Sequence, residues 1–141
     1  MTAVEPNKSL RKLAQRHHKE SNIRWIDDHL PELPSLKAFP ERYNFILLSA
    51  VWMHLPQNLW GKSFKMLESL LAENGYIAIS LRIGKDDHAR GMHPIDIDEF
   101  ILCARLNGLV PCYVSRRTKD ALLRKEVAWR KIVLVRNPAN I

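Results

Sequence analysis

Cysteine is scarce in this chain: Cys103 and Cys112 are the only two in 141 residues. They form no CxxC pair and have no histidine at ligand spacing, which argues against both a disulfide framework and a cysteine–histidine metal site. Cys103 falls in an expected helix and Cys112 in an expected strand, so two buried thiols are the plain reading. Long apolar runs are also missing. None approaches the roughly 20 residues needed to span a bilayer, and the polar N-terminus has no apolar segment of the signal-peptide kind. The expectation is a cytoplasmic chain with no membrane partner. Negative charge is under-represented as well, with 15 Asp and Glu against 22 Lys and Arg, a formal net charge of +7.

What is present is the composition of a soluble folded protein. Hydrophobic residues make up 46% and charged residues 26%, neither of which suits a disordered chain or a fibrous repeat. The length allows one domain with a real core. The basic excess invites a nucleic-acid reading, because clustered Lys and Arg gain affinity by counterion release. It is gathered in two places, Lys8 to Lys19 and Arg116 to Arg136. The first reads as the wet face of a helix and the second as a connection between strands with its flanks. Without aromatic interleaving or a recognised binding motif, a basic solvated surface is preferred to a nucleic-acid groove.

The chain is organised around Tyr43 to Pro56, YNFILLSAVWMHLP. Phe45 to Leu48 is a run of large apolar residues without alternation, which predicts a strand buried on both faces. Ligands of open parallel sheets sit beyond the carboxyl ends of strands, so Ser49, Ala50, Val51, Trp52, Met53 and His54 are the first candidates to line a site. Upstream, MTAVE reads as the tail of a strand. A helix follows, capped by Asn7 or Ser9, with Leu10, Leu13 and Ala14 on its inner face. IRWI, residues 23–26, predicts a second short strand, ended by Asp27 and Asp28, and a Pro-bearing surface stretch leads on to Phe45.

Downstream, Trp60, Phe64, Leu67 and Leu71 recur at helical spacing. Asn74-Gly75 predicts a turn, and Tyr76 to Leu81 a further strand, again apolar on both faces and ending in Arg82 and Gly84. Strand, helix and strand from Phe45 to Leu81 suit a right-handed parallel crossover. Residues 85–93, KDDHARGMH, form a polar loop; its Asp86, Asp87, His88 and His93 match no metal spacing. Asp96 and Glu99 are placed as N-cap and capping-box partner of a helix stopped by Gly108. Leu109 to Val114 and Val127 to Val135 complete the set as a C-terminal antiparallel pair, since their connection is too short for a crossover helix. The fold class is α/β, a mostly parallel sheet with flanking helices.

Glu5 after one strand, an Asp pair after the next, SAVWMHL after the third, ENGYIAISLR as helix end plus strand, and a terminal antiparallel pair together resemble the class I S-adenosylmethionine-dependent methyltransferases, a Rossmann-like family. The resemblance covers nearly the whole chain and lies in the succession of pieces. It implies S-adenosyl-L-methionine as cofactor. Glu5 matches the acidic residue that holds the ribose hydroxyls, Asp27 or Asp28 the one that meets the adenine amino group, and Ser49, Ala50 and Val51 the strand end beneath the methyl donor. The family's first strand and Gly-rich loop should precede Glu5, and Gly61, Gly75, Gly84, Gly91 and Gly108 form no such loop. The expectation is therefore a single incomplete domain over residues 1–141, truncated at its N-terminus, with open sheet edges and with autonomous activity in doubt.

Each assignment has a plainer competitor. His54 at a strand end can act as general base toward an acceptor, although a histidine that hydrogen-bonds a loop is commoner. Arg82 can hold an anionic acceptor or the cofactor carboxylate through its planar fork; pairing with Asp86 or Asp87 is the alternative. Trp52 and Met53 are expected in the core or a pocket wall. The acceptor is not readable, because methyl transfer asks mainly for alignment of donor and acceptor; the basic C-terminal segment tilts it toward an anion. Two other functions compete: a non-catalytic module that covers its edges by homo-oligomerising or taking a partner strand, and a basic nucleic-acid binder.

Overall fold

A computed structural model describes residues 1–140. The chain divides into two compact units, Met1–Glu41 and Arg42–Ile141.

The first unit is built on two short parallel strands, β1 (Thr2–Val4) and β2 (Arg24–Ile26), in register Thr2↔Arg24 to Val4↔Ile26. Between them runs helix α1 (Lys8–His17). Of the two candidate caps, Asn7 is the one used, its Oδ1 accepting from Leu10 N at 3.0 Å. Arg16 and His17 in the last turn complement the helix dipole. The short helix α2 (Pro34–Lys37) follows, with Leu36 within it and Leu33 just before it both buried. The expected inner face of α1 is not buried: Leu10 and Leu13 stay at least half exposed, and no residue of the helix is buried. Two strands of three residues offer too little surface to cover a ten-residue helix.

The second unit contains β3 (Tyr43–Leu48), α3 (Trp60–Leu70), β4 (Leu71–Ile83), α4 (Ile97–Leu106), β5 (Leu109–Val114), β6 (Thr118–Lys119) and β7 (Ala128–Arg136). Sheet order is β3-β4-β7-β5, with β6 also on β7. β3 and β4 are parallel, and β7 is antiparallel to both β4 and β5. The expected crossover and terminal antiparallel pair are thus present. β4 runs on through Asn74 and Gly75, where a turn was expected; Asn74 has φ 58°, and the pairing with β3 shifts register there, between Tyr43↔Leu71 and Phe45↔Tyr76. Gly75 is required by close approach, because a Cβ there would lie 2.7 Å from Leu71 Cδ1 and 3.0 Å from the Tyr43 carbonyl oxygen. Asp96 caps α4 through Glu99 N (2.9 Å), but Glu99 does not close the box, since its Oε2 accepts from Gln57.

The core lies on one face of this sheet. Ile77, Ile79, Leu81, Ile132, Leu134 and Leu109 are fully buried there under an aromatic cluster of Trp52, Trp60, Phe64 and Phe100. Ring centroids of Trp52 and Phe64 are 4.6 Å apart, and those of Phe64 and Phe100 5.1 Å, in tilted and edge-on contacts that favour such rings. The opposite face corrects the sequence reading. Phe45 and Leu47 are 59% and 63% exposed, so β3 is not buried on both faces. Leu47, Ala78, Val133 and Tyr113 form one row across the four strands on that side, and Tyr76 is half exposed too, so β4 also has one covered face. The thiols differ from expectation as well: Cys112, at the register shift between Pro111 and Tyr113, is exposed, and Cys103 is only partly buried. The desolvation it does have raises the Cys103 pKa.

Candidate functional site

In the first unit the candidate acids stand where two parallel strands end. Glu5 is one residue past Val4 and Asp27 one past Ile26, and the Glu5 N–H donates to the Ile26 carbonyl at 3.1 Å. Arg11 ties both ends, donating through Nη1 to the Glu5 carbonyl (2.7 Å) and through Nη2 to Asp27 Oδ2 (3.4 Å). Glu5 Oε1 accepts from Asn7 N at 2.8 Å, which leaves Oε2 as an open acceptor. The two aspartates differ sharply. Asp28 is 4% exposed, with Oδ1 taken by His29 N and Oδ2 by Leu36 N at 2.9 Å. Its carboxylate holds the turn into α2, whereas Asp27 is 66% exposed and keeps acceptor capacity for a ligand.

In the second unit the chain leaves β3 into Ser49, Ala50 and Val51, all exposed. Ala50 has φ 56°, a left-handed conformation that L-residues adopt at a cost. Its N–H donates to Ser80 Oγ on the neighbouring β4 at 2.8 Å, which pins the loop to the next strand end. A 3₁₀ turn over Trp52–His54 follows, burying Trp52 and Met53 as core and leaving His54 at the surface. His54 Nδ1 lies 3.2 Å from the Gly91 carbonyl oxygen. That oxygen can only accept, so a hydrogen bond between them is donated by Nδ1, and in that tautomer Nε2 is the acceptor nitrogen. His93 N donates to the Met53 carbonyl at 2.8 Å, a second tie between this turn and the loop after β4. Ser80 and Gly91 were not singled out from the sequence; nothing about a lone serine in a strand marks it as the anchor of a loop thirty residues away.

At the carboxyl end of β4, Arg82 pairs with neither Asp86 nor Asp87. It is 8% exposed, donates from Nη1 to the Lys85 carbonyl at 2.8 Å, and has no ion-pair partner among the described residues. Its Nε is buried without any hydrogen-bond partner. It lines a cleft of about 480 Å³ with Lys85, Arg90, Lys125 and the segment Glu126–Val127. Gly84 matters here: a Cβ on it would lie 2.7 Å from the Glu126 carbonyl oxygen. Behind the cleft, Asp120 accepts from Arg124 Nε and Nη2, both at 2.8 Å, and from Trp129 Nε1 at 2.9 Å. The Arg124 and Trp129 hydrogen bonds, in that order, hold its carboxyl far below the ordinary carboxylate range against the opposing effect of burial. This knot carries no spacing signal in the sequence.

Among the described residues no three His, Cys, Asp or Glu side chains are gathered as a metal would need, and no helix is long and apolar enough to cross a membrane. No family sequence profile matches the chain, and no curated protein matches it. Solved structures do. A SAM-dependent methyltransferase from Leishmania major superposes with TM-score 0.78 at 16% identity, over 95% of this chain and 54% of that one. The N-methyltransferase NodS from Bradyrhizobium japonicum gives 0.76 at 14% identity, over 97% and 72%. The O-methyltransferase of a trans-AT PKS multienzyme from Brevibacillus brevis, solved in complex with S-adenosyl-L-homocysteine, gives 0.73 at 14%, over 98% and 59%. The fold is therefore the Rossmann-like fold of these methyltransferases, and the chain spans about half to three-quarters of their lengths.

Proposed function

We propose that this chain is a methyltransferase-type domain that binds S-adenosyl-L-methionine. The observation that carries the reading is the fold likeness over nearly the whole chain, together with open carboxylates at the strand ends where that fold presents a nucleoside. Within Met1–Glu41, Glu5 takes the ribose hydroxyls and Asp27 the adenine amino group; Asp28, which shared that assignment, serves α2 instead. Glu5 Oε2 and the exposed carboxylate of Asp27 are acceptors, as hydroxyl and amino donors require. Within Arg42–Ile141, the exposed backbone of Ser49, Ala50 and Val51 lines the methyl-donor end, and His54 Nε2 receives the acceptor's proton.

The fit is good for the nucleoside end and incomplete for the methionine end. Among the described residues no glycine-rich loop follows a strand as that end of the cofactor requires, and the positive-φ glycines, Gly91 and Gly108, lie in a surface turn and a helix stop. A segment bearing the family's first strand and its loop would complete the site, in keeping with the fraction of each neighbour that this chain covers. The cofactor, when bound, supplies an activated methyl group, and the protein's part is to align the acceptor and take its proton.

Calorimetric titration with S-adenosylhomocysteine tests the reading. Binding is expected, weakened about tenfold or more by Glu5→Ala through loss of a hydrogen-bonded charged acceptor. Absence of binding heat, with an unchanged melting temperature at saturating ligand, would remove cofactor binding from this chain.

A further inference from the structure

The cleft at the end of β4 holds a cation that the protein itself does not neutralise. Arg82 is more than nine-tenths buried, forms no ion pair, and leaves Nε without an acceptor. A charge taken from water costs several kcal/mol unless paired, and a guanidinium cannot relieve that cost by losing its proton. Three carboxylates line the same cleft, yet none pairs with Arg82. Asp86 Oδ2 meets His88 Nε2 at 2.6 Å, Glu126 faces Lys85 at 3.8 Å, and Asp87 caps the turn at Arg90 N. Arg90 and Lys125, also on the wall, have no carboxylate partner among the described residues. Five lysines and arginines line the pocket against three carboxylates, an excess that favours an anion.

Its position gives that anion a role. Ser80, whose Oγ receives Ala50 N–H, and Arg82 are two residues apart on β4 and so point to the same face, about 7 Å apart along the strand. The cleft therefore begins within one small molecule's length of the loop after β3. We propose that it binds the anionic group, carboxylate or phosphate, of the methyl acceptor, with the Arg82 fork as the principal donor and Arg90 and Lys125 as the outer cations. As an acceptor site it rests on the methyl-transfer reading; as an anion site it does not.

Thermal unfolding of the full chain in inorganic phosphate, in acetate and in chloride at matched ionic strength tests the anion site, with Arg82→Met as the control. Phosphate or acetate should raise the wild-type melting temperature by about 3–6 °C at some tens of times its Kd, and whichever acts names the acceptor's group. Arg82→Met keeps the side-chain length and removes the uncompensated charge together with its bond to the Lys85 carbonyl, so it should lose the anion-dependent rise whatever its melting temperature in chloride. Should Arg82→Met fail to fold, Arg90→Gln at the rim should still shrink the rise. A rise of equal size in these variants, or none in wild type, overturns the site. Titration with S-adenosylhomocysteine separates the two readings: equal affinity in wild type and Arg82→Met is expected. A tenfold loss would make Arg82 a ligand of the cofactor's own carboxylate and overturn the acceptor assignment. An anion effect with no S-adenosylhomocysteine binding in either chain would keep the anion site and overturn the acceptor role along with methyl transfer.

Discussion

Ala50 adopts a backbone conformation that its side chain disfavours, and the cost is met by one hydrogen bond to Ser80 and the buried turn behind it. Ala50→Gly removes that strain, at roughly 1 kcal/mol, and offsets part of it by a more flexible unfolded chain. A small gain in urea midpoint is expected, and Ala50→Val should lower it. Trp52 offers a second residue-level test. Its indole N–H is buried without a partner, so Trp52→Phe removes an orphan donor while keeping most of the ring contacts. The loss should stay well below the roughly 3–5 kcal/mol of Phe64→Ala at the centre of the same cluster. Asp120 sets a pH dependence of known sign. Its folded pKa is depressed by Arg124 and Trp129, so its contribution is complete above the ordinary carboxylate pKa and is lost only as pH falls toward the lower folded value. Asp120→Asn should be less stable at neutral pH, and the gap to wild type should narrow in strong acid.

Among the elements, β3 and β7 differ in what covers them, and the same substitution should separate them. Leu134→Ala, fully buried in β7, should cost about 2–5 kcal/mol in chemical denaturation. Leu47→Ala, on the open face of β3, should cost a small fraction of that. This contrast also shows where sequence reasoning stops. The run Phe45 to Leu48 identifies a strand, as Leu10 and Leu13 identify a helix face, because periodicity is a property of the segment itself. Whether those side chains are covered depends on neighbours that the segment does not encode. The same division holds in the site. Glu5, Asp27 and Arg82 were legible as polar residues at strand ends, but the engagement of Asp28 by Leu36 N and the cleft that Arg82 lines with residues 124–127 depend on contacts distant in sequence.

Across the whole molecule, order should follow the sheet. β4 and β7 sit inside the larger sheet with partners on both sides, whereas α1 lies on no covering surface of its own. Amide hydrogen exchange should be slowest at Ile77–Leu81 and Arg130–Leu134 and fast throughout Lys8–His17, where opening approaches local fraying. Slow exchange in α1 would mean that something covers its apolar side in solution. The alternation of cover follows the order of elements. One face of the sheet receives α3 and α4 from the chain's own crossovers, and the other receives none from Arg42–Ile141.

Gly84 sits where the end of β4 passes under the Glu126 carbonyl, with no room for a methyl group between them. That absence sets how closely residues 126–127 lie against the end of the strand, beside Arg82. In the proposed anion site, selectivity would then be divided between two residues of opposite character, an arginine that sets the sign of what enters and a glycine that sets how closely the Glu126 backbone approaches the strand end. Replacing the glycine by alanine would push the Glu126 backbone away by a fraction of an ångström, and so alter the shape of the cleft without altering a single charge.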